Sequence, residues 1–173
     1  EPITKIICEN KGLTNADVLR LMAAINNNPE VVRTLTHLSL ANVAHIFNSD
    51  ANQISCVLDL TRLKYLQVLK LSNNKLERAP NLSGCQELVQ LHLDGNQLRV
   101  FPNITNCTKL QALNLRRNRI KQMLPWLKCP NLSQLYLGFN AFTSPPNILI
   151  NPKLQVLELQ GNKLSKAGEA ALY

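Results

Sequence analysis

Five stretches of this 173-residue chain spell one pattern at a fixed interval. They read LQVLKLSNNKL, LVQLHLDGNQL, LQALNLRRNRI, LSQLYLGFNAF and LQVLELQGNKL, beginning at Leu66, Leu88, Leu110, Leu132 and Leu154, 22 residues apart each time. A strict period of that size constrains the fold more than any other feature. It calls for a solenoid of stacked units, each burying its apolar side against the next, rather than a core closed on itself.

The columns of the repeat assign a job to each residue. With the first leucine of a unit counted as position 1, leucine stands at positions 1, 4 and 6 in all five copies. Positions 4 and 6 are one residue apart, a strand period that sends both into a shared core. Position 9 is always asparagine, at Asn74, Asn96, Asn118, Asn140 and Asn162, and position 11 is apolar, at Leu76, Leu98, Ile120, Phe142 and Leu164. An amide between two apolar positions is expected to be buried, and a buried amide must be hydrogen bonded. The sequence therefore predicts an asparagine ladder that satisfies the turn leaving each strand.

The pattern L-x-x-L-x-L-x-x-N-x-L, in five consecutive units, resembles the leucine-rich repeat family. The resemblance implies an α/β fold, a right-handed solenoid with a parallel β-sheet on its concave side and one short strand per repeat. In the return segments ERAPNLSGCQE, RVFPNITNCTK, KQMLPWLKCPN and TSPPNILINPK, Pro80, Pro102, Pro125 and Pro146 exclude regular helix nearby. Helices are expected on the convex side only near the termini, and the thin convex side should curve the stack weakly. Leu82, Ile104, Trp126 and Ile148 are the core residues expected there.

The chain reads as one domain, 1–173, with a helical repeat at 1–34, an irregular repeat at 35–65, compact repeats at 66–87, 88–109, 110–131 and 132–153, and a C-terminal repeat at 154–173. In the first, Ile3, Ile6 and Cys8 take the core columns, and Leu13 the apolar place after the turn. Thr14 and Asp17 suit a capping box, Val18, Leu21, Met22 and Ile25 follow at helical spacing, and Asn26-Asn27-Asn28-Pro29 ends the helix. This segment is similar to repeats of the ribonuclease-inhibitor kind, and Leu164-Ser165-Lys166-Ala167-Gly168 suggests a return to that style. In the irregular repeat, Leu35, Leu38 and Leu40 are followed by Val43 where asparagine should stand and His45 where leucine should, so the register is open. Ile54, Val57 and Leu58 are expected to form a short inward-facing helical turn.

Cys85, Cys107 and Cys129 share one column whose fourth member is Asn151, as expected for small buried hydrophobes. No C-x-x-C or Cys/His grouping with metal spacing exists, and no metal or cofactor is called for. Without cysteine-knotted end caps, the chain is expected in a reducing compartment, the cytoplasm or a host cytosol after secretion, rather than outside cells. Four N-x-S/T sequons, at Asn81, Asn103, Asn106 and Asn131, point the other way and are read as incidental to the repeat. No apolar run approaches a membrane span. The asparagine-rich, cap-free repeats in two styles also resemble leucine-rich repeat proteins that intracellular bacteria secrete into host cells.

The sequence holds no glycine-rich phosphate loop, H-E-x-x-H or G-x-S-x-G, and the chain is expected not to be an enzyme. What varies between copies is the outward surface. Lys70, His92, Asp94, Asn114, Arg116, Arg117, Arg119, Tyr136, Phe139 and Glu158 are the expected partner-binding residues, because arginines beside exposed aromatics make interface hot spots. Residues 66 to 131 hold ten Lys or Arg against Glu77, Glu87 and Asp94, so this stretch carries +7 of the chain's +8. Such a field steers an acidic partner. The expected function is capture of an acidic protein on the concave face by a monomer acting as inhibitor, adaptor or host-directed effector; nucleic-acid binding through the basic middle is the alternative.

Overall fold

In the computed structural model, residues 1–41, 54–56, 58–123, 129–146 and 151–165 are described. The expectations for Val43, His45, Val57, Pro125, Trp126, Ile148 and residues 166–173 fall outside them. Seven short strands form one parallel sheet whose order follows the chain: β1 (Lys5–Ile7), β2 (His37–Ser39), β3 (Val68–Lys70), β4 (Gln90–His92), β5 (Ala112–Asn114), β6 (Gln134–Tyr136) and β7 (Val156–Glu158). Each strand covers positions 3 to 5 of its unit. Its central residue pairs with the same column next door, so that Leu69, Leu91, Leu113, Leu135 and Leu157 are in register. The fold is the α/β leucine-rich repeat solenoid that the period required.

Burial follows the columns. Leu66, Leu69, Leu71, Leu88, Leu91, Leu93, Leu110, Leu113, Leu115, Leu132, Leu135 and Leu137 are wholly inaccessible. The first unit differs, since nothing packs on its outer side among the described residues. Ile3 is 49% exposed, while Ile6, Cys8 and Leu13 are only partly buried.

The asparagines bond in two directions. Each side-chain nitrogen donates to the position 6 carbonyl of its own unit and to that of the unit before; for Asn118 these are Leu115 O at 3.1 Å and Leu93 O at 2.9 Å. Each side-chain oxygen accepts the position 11 amide of the preceding unit: Leu76 N to Asn96, Leu98 N to Asn118, Ile120 N to Asn140 and Phe142 N to Asn162, at 2.9–3.1 Å.

That ladder settles the register of the irregular repeat. Asn74 Oδ1 accepts from Ile54 N at 3.0 Å, and Ile54 O accepts from Lys75 N as Leu76 O does from Gln97 N. Ile54 therefore occupies position 11, the place at which the sequence puts His45. The nine extra residues of the 31-residue unit (31 less 22, and 54 less 45) fall between Ala41 and Ile54. Ile54 and Leu58 are buried as expected, and no helix is formed among the described residues 54–56 and 58–60. Ile54 is held by the ladder.

The N-terminal unit is helical. Helix α1 (Asn15–Asn27) starts with the Thr14–Asp17 capping box and buries Val18, Met22 and Ile25; Leu21 is half-buried. Asn28 caps its end and starts a second helix that the sequence reading lacks, α2 (Pro29–Thr34), by accepting from Glu30 N and Val31 N. Asparagine followed by proline at the first helical position carries that signal.

On the convex side a second row of short bonds repeats. Asn81 Oδ1 accepts from Ser83 N at 3.0 Å, Asn103 Oδ1 from Thr105 N and Oγ1 at 3.2 and 2.7 Å, and Asp59 Oδ1 from Thr61 N and Oγ1 at 3.1 and 2.6 Å. These are side-chain-capped turns, for which Asn or Asp followed two residues on by Ser or Thr is the natural sequence. The column thus produces sequons at Asn81 and Asn103 as a by-product of turn chemistry. The amides of Asn106 and Asn131 donate to Ser83 O and Thr108 O in the preceding repeats.

All five cysteines are free. Leu63, Cys85, Cys107, Cys129 and Asn151 form the column behind these turns, all buried. Burial raises the thiols of Cys85 and Cys129 to about 11 and that of Cys107 to about 12. An unfolded thiol ionises near 9, so between pH 9 and about 11 the folded chain keeps protons that the unfolded chain loses, and stability falls as pH rises. Cys107→Ala should flatten that fall in urea titrations run from pH 8 to 11; an unchanged slope would count against it. Asn151 is 3% exposed, and neither its amide nitrogen nor its oxygen has a partner among the described residues. Asn151→Cys should therefore stabilise the protein by about 1 kcal/mol or more, read as a higher melting temperature, since an unsatisfied buried amide is costly.

Candidate interaction surface

Positions 3, 5 and 7 of each unit build the open face of the sheet, because positions 4 and 6 are turned into the core. Its charges balance: Lys5, Lys70 and Arg116 stand against Glu9, Asp94 and Glu158. The acids are also engaged. Ser39 Oγ donates to Glu9, Ser72 Oγ to Asp94 at 2.7 Å, and Gln160 Nε2 to Glu158 at 3.3 Å. Arg116 Nε lies 3.3 Å from Glu158 Oε2, reaching from β5 over β6 to β7. Gly138 occupies position 7 between them, and a Cβ there would come within 3.0 Å of the Gln160 side chain. Arg116, expected to meet a partner's carboxylate, thus already has one.

Half-buried groups on the face include Tyr136, Asn114 and His92. Tyr136 donates its hydroxyl to Gln134 Oε1 at 3.3 Å, and Asn114 Oδ1 accepts from Arg116 N at 3.2 Å. Burial holds the His92 imidazole below its ordinary value, with Lys70 adding to the shift and Asp94 opposing it. His92 is therefore neutral at pH 7 and offers a donor and an acceptor rather than a charge.

The chain leaves the sheet along one edge, and there the balance is lost. Among the described residues from Leu66 onward, positions 8, 10, 12 and 13 carry Lys75, Arg78, Arg99, Arg117, Arg119, Lys121 and Lys163 against Glu77. Among the described residues no carboxylate pairs with Arg117 or Arg119. On the opposite edge Lys109 pairs with Glu87 at 2.5 Å, and Lys153 Nζ donates to the neutral Asn131 Oδ1 at 2.7 Å.

Position 8 has a special backbone. Its N–H donates to the position 7 carbonyl of the next unit, as Gly95 N to Arg116 O, Arg117 N to Gly138 O and Phe139 N to Gln160 O. The residue sits in the left-handed region, with φ between 53° and 69° at Asn10, Asn73, Gly95, Arg117, Phe139 and Gly161. Asparagine and glycine tolerate this conformation; arginine and phenylalanine adopt it at a cost. The two residues that break the rule are paired, the Arg117 guanidinium lying over the Phe139 ring at 5.8 Å from its centroid, within cation–π range. Phe139 is 47% exposed. Gly161 makes room for it, since a Cβ there would sit 2.5 Å from Phe139 Cδ1.

The ten expected binding residues therefore divide. The sheet face holds Lys70, His92, Asp94, Asn114, Arg116, Tyr136 and Glu158, and the exit edge holds Arg117, Arg119 and Phe139. Sequence reasoning grouped all ten on one surface and missed the Arg116–Glu158–Gln160 network, for which the bare Gly138 is the readable sign. It also missed Val100 on the same edge, 68% exposed.

A family model described as "Leucine Rich repeat" matches residues 106–121 and 151–172. No curated protein matches the chain. Among solved structures, a leucine-rich repeat protein of Leptospira interrogans is similar over 83% of this chain at 25% identity, with a TM-score of 0.66. TLR13, in its complex with the single-stranded RNA ssRNA13, is similar over 76% at 26% identity, with a TM-score of 0.61. The chain spans 42% of the first neighbour's length and 19% of the second's. No helix among the described residues is long and apolar enough to cross a membrane.

Proposed function

From the premise that this chain is a leucine-rich repeat protein, a fold that generally serves as a protein-interaction module, we propose that it is a non-enzymatic, monomeric binder of an acidic partner protein on its concave face. The observation that carries this reading is the open sheet face, where half-buried Tyr136, His92 and Asn114 stand in adjacent strands with a basic edge beside them. Parallel strands lie about 4.8 Å apart, so these side chains form one continuous surface for a partner to cover. The inhibitor, adaptor and host-directed effector roles are forms of the same activity, in which occupying the partner is the whole mechanism. The proposed setting is a reducing one, where the five thiols persist.

The test begins with a partner recovered by affinity capture and then measured with purified proteins. Tyr136→Ala is expected to weaken that complex by about 2 kcal/mol, roughly thirtyfold, if the ring is a desolvated anchor. An unchanged affinity with a normal melting curve would move the site off the sheet face.

Single-stranded RNA is the second reading, favoured by the excess of cations on the exit edge and by the ligand of the TLR13 neighbour. A salt titration separates the two. A log-log slope of several units with generic RNA supports the nucleic-acid reading, and no RNA binding at moderate salt supports the protein partner.

A further inference from the structure

We propose that the acidic partner is recognised through the exit edge, by an extended peptide segment that sets a carboxylate on Arg117 and an apolar side chain on Phe139. The inference rests on the protein-binding reading above and adds to it where the partner's acidic segment lies and which two residues select it.

Three independent features converge there. The first is charge. The sheet face is neutral in itself and its acids are engaged, whereas Arg99, Arg117, Arg119 and Lys121 cluster on the exit edge of two adjacent repeats, and among the described residues no carboxylate forms an ion pair with them. A field of one sign draws the acidic segment to the edge and not to the sheet.

The second is backbone conformation. The fold demands a left-handed residue at position 8 in each of these units, and Asn73, Gly95 and Gly161 supply residues that accept it. Arg117 at φ 53° and Phe139 at φ 57° do not, yet they occupy neighbouring places in that column. Bulky residues persist in such conformations where the surroundings impose them, and they gather at ligand clamps.

The third is the cation–π pair. The Arg117 guanidinium carbon lies over the Phe139 ring at 5.8 Å from its centroid, within cation–π range, and a guanidinium carries its N–H donors in one planar fork. That planar fork matches a carboxylate in two parallel hydrogen bonds. With Arg117 over the ring at 5.8 Å and Gly161 against its Cγ–Cδ1–Cε1 side, Phe139 offers a single apolar shoulder beside a cation. Nucleic-acid grooves use several stacking aromatics, so the peptide is the better fit.

The probe is a fluorescently labelled peptide of repeated Glu-Glu-Leu units, read by anisotropy at low salt. Arg117→Gly and Phe139→Gly suit the left-handed backbone, so both variants keep the fold, and each is expected to lower peptide affinity about tenfold or more. Arg117→Lys keeps the charge but loses the planar fork, and should bind about fivefold more weakly than the parent. Lys153→Ala, on the opposite edge, should bind as the parent does. Glycine variants that bind within about twofold of the parent, a parent that binds no peptide, or a parent that prefers oligouridylate would each overturn the proposal. If Tyr136→Ala abolishes capture of a partner protein while both glycine variants leave it intact, the edge assignment falls and the sheet-face reading stands.

Discussion

Asn118→Ala is expected to lower the melting temperature by roughly 4 to 12 °C, the equivalent of about 2 to 3 kcal/mol for a chain of this size. The bonds say where the loss arises. Asn118 is the sole side-chain acceptor for Leu98 N, at 2.9 Å, so that buried amide is left unpaired. Leu93 O and Leu115 O each lose one of two amide donors, retaining Asn96 at 3.0 Å and Asn140 at 2.8 Å respectively. One orphaned donor and two half-satisfied carbonyls, all in the core, give that magnitude. Asn118→Asp should be worse than alanine, because it keeps the acceptor but buries a charge. Thermal melts of the parent and both variants decide the matter, and coincident curves would contradict the ladder's energetic role.

Leu113→Ala is expected to cost about 2 to 5 kcal/mol, the range for emptying a fully buried leucine site. Leu113 sits at the centre of β5, wholly inaccessible, in register with Leu91 on one side and Leu135 on the other. The backbone of a packed sheet collapses little around such a hole, which places the cost toward the upper end. Leu157→Ala, the same column in β7 where the side chain is only partly buried, should cost less. Urea denaturation of the two variants measures the difference; a larger loss at Leu157 would show that burial does not grade along the stack as a chain of nearest-neighbour contacts requires.

Most of the fold was legible because the period fixes both ends of each strand. Knowing that Leu110 begins a unit is enough to place β5 at Ala112–Asn114 and Asn118 in the turn. What resisted reading was local. Nothing in residues 35–65 marks where the extra nine residues enter, since Val43 and His45 stand at positions 9 and 11 by count while Ile54 holds position 11 by hydrogen bond. Helix α2 was missed because Asn28-Pro29 reads equally as the end of one helix and the start of another, and Asn28 does both. At the candidate surface the residue types were visible, but their allocation between face and edge depends on the left-handed twist at position 8. Asn73, Gly95 and Gly161 disclose that twist; Arg117 and Phe139 conceal it by departing from the glycine and asparagine that otherwise fill the column.

The two-directional bonding of the asparagines gives the stack a polarity. Each unit carries the plug for the unit before it and leaves its own socket, the position 11 amide, for the unit after. Copying one 22-residue segment in tandem therefore creates no mismatched junction: the duplicate's plug fits its template's socket, and its own socket accepts the plug that follows. Growth by whole units is thus open to this architecture without redesign of the interior, and each added unit widens the available docking area by one strand.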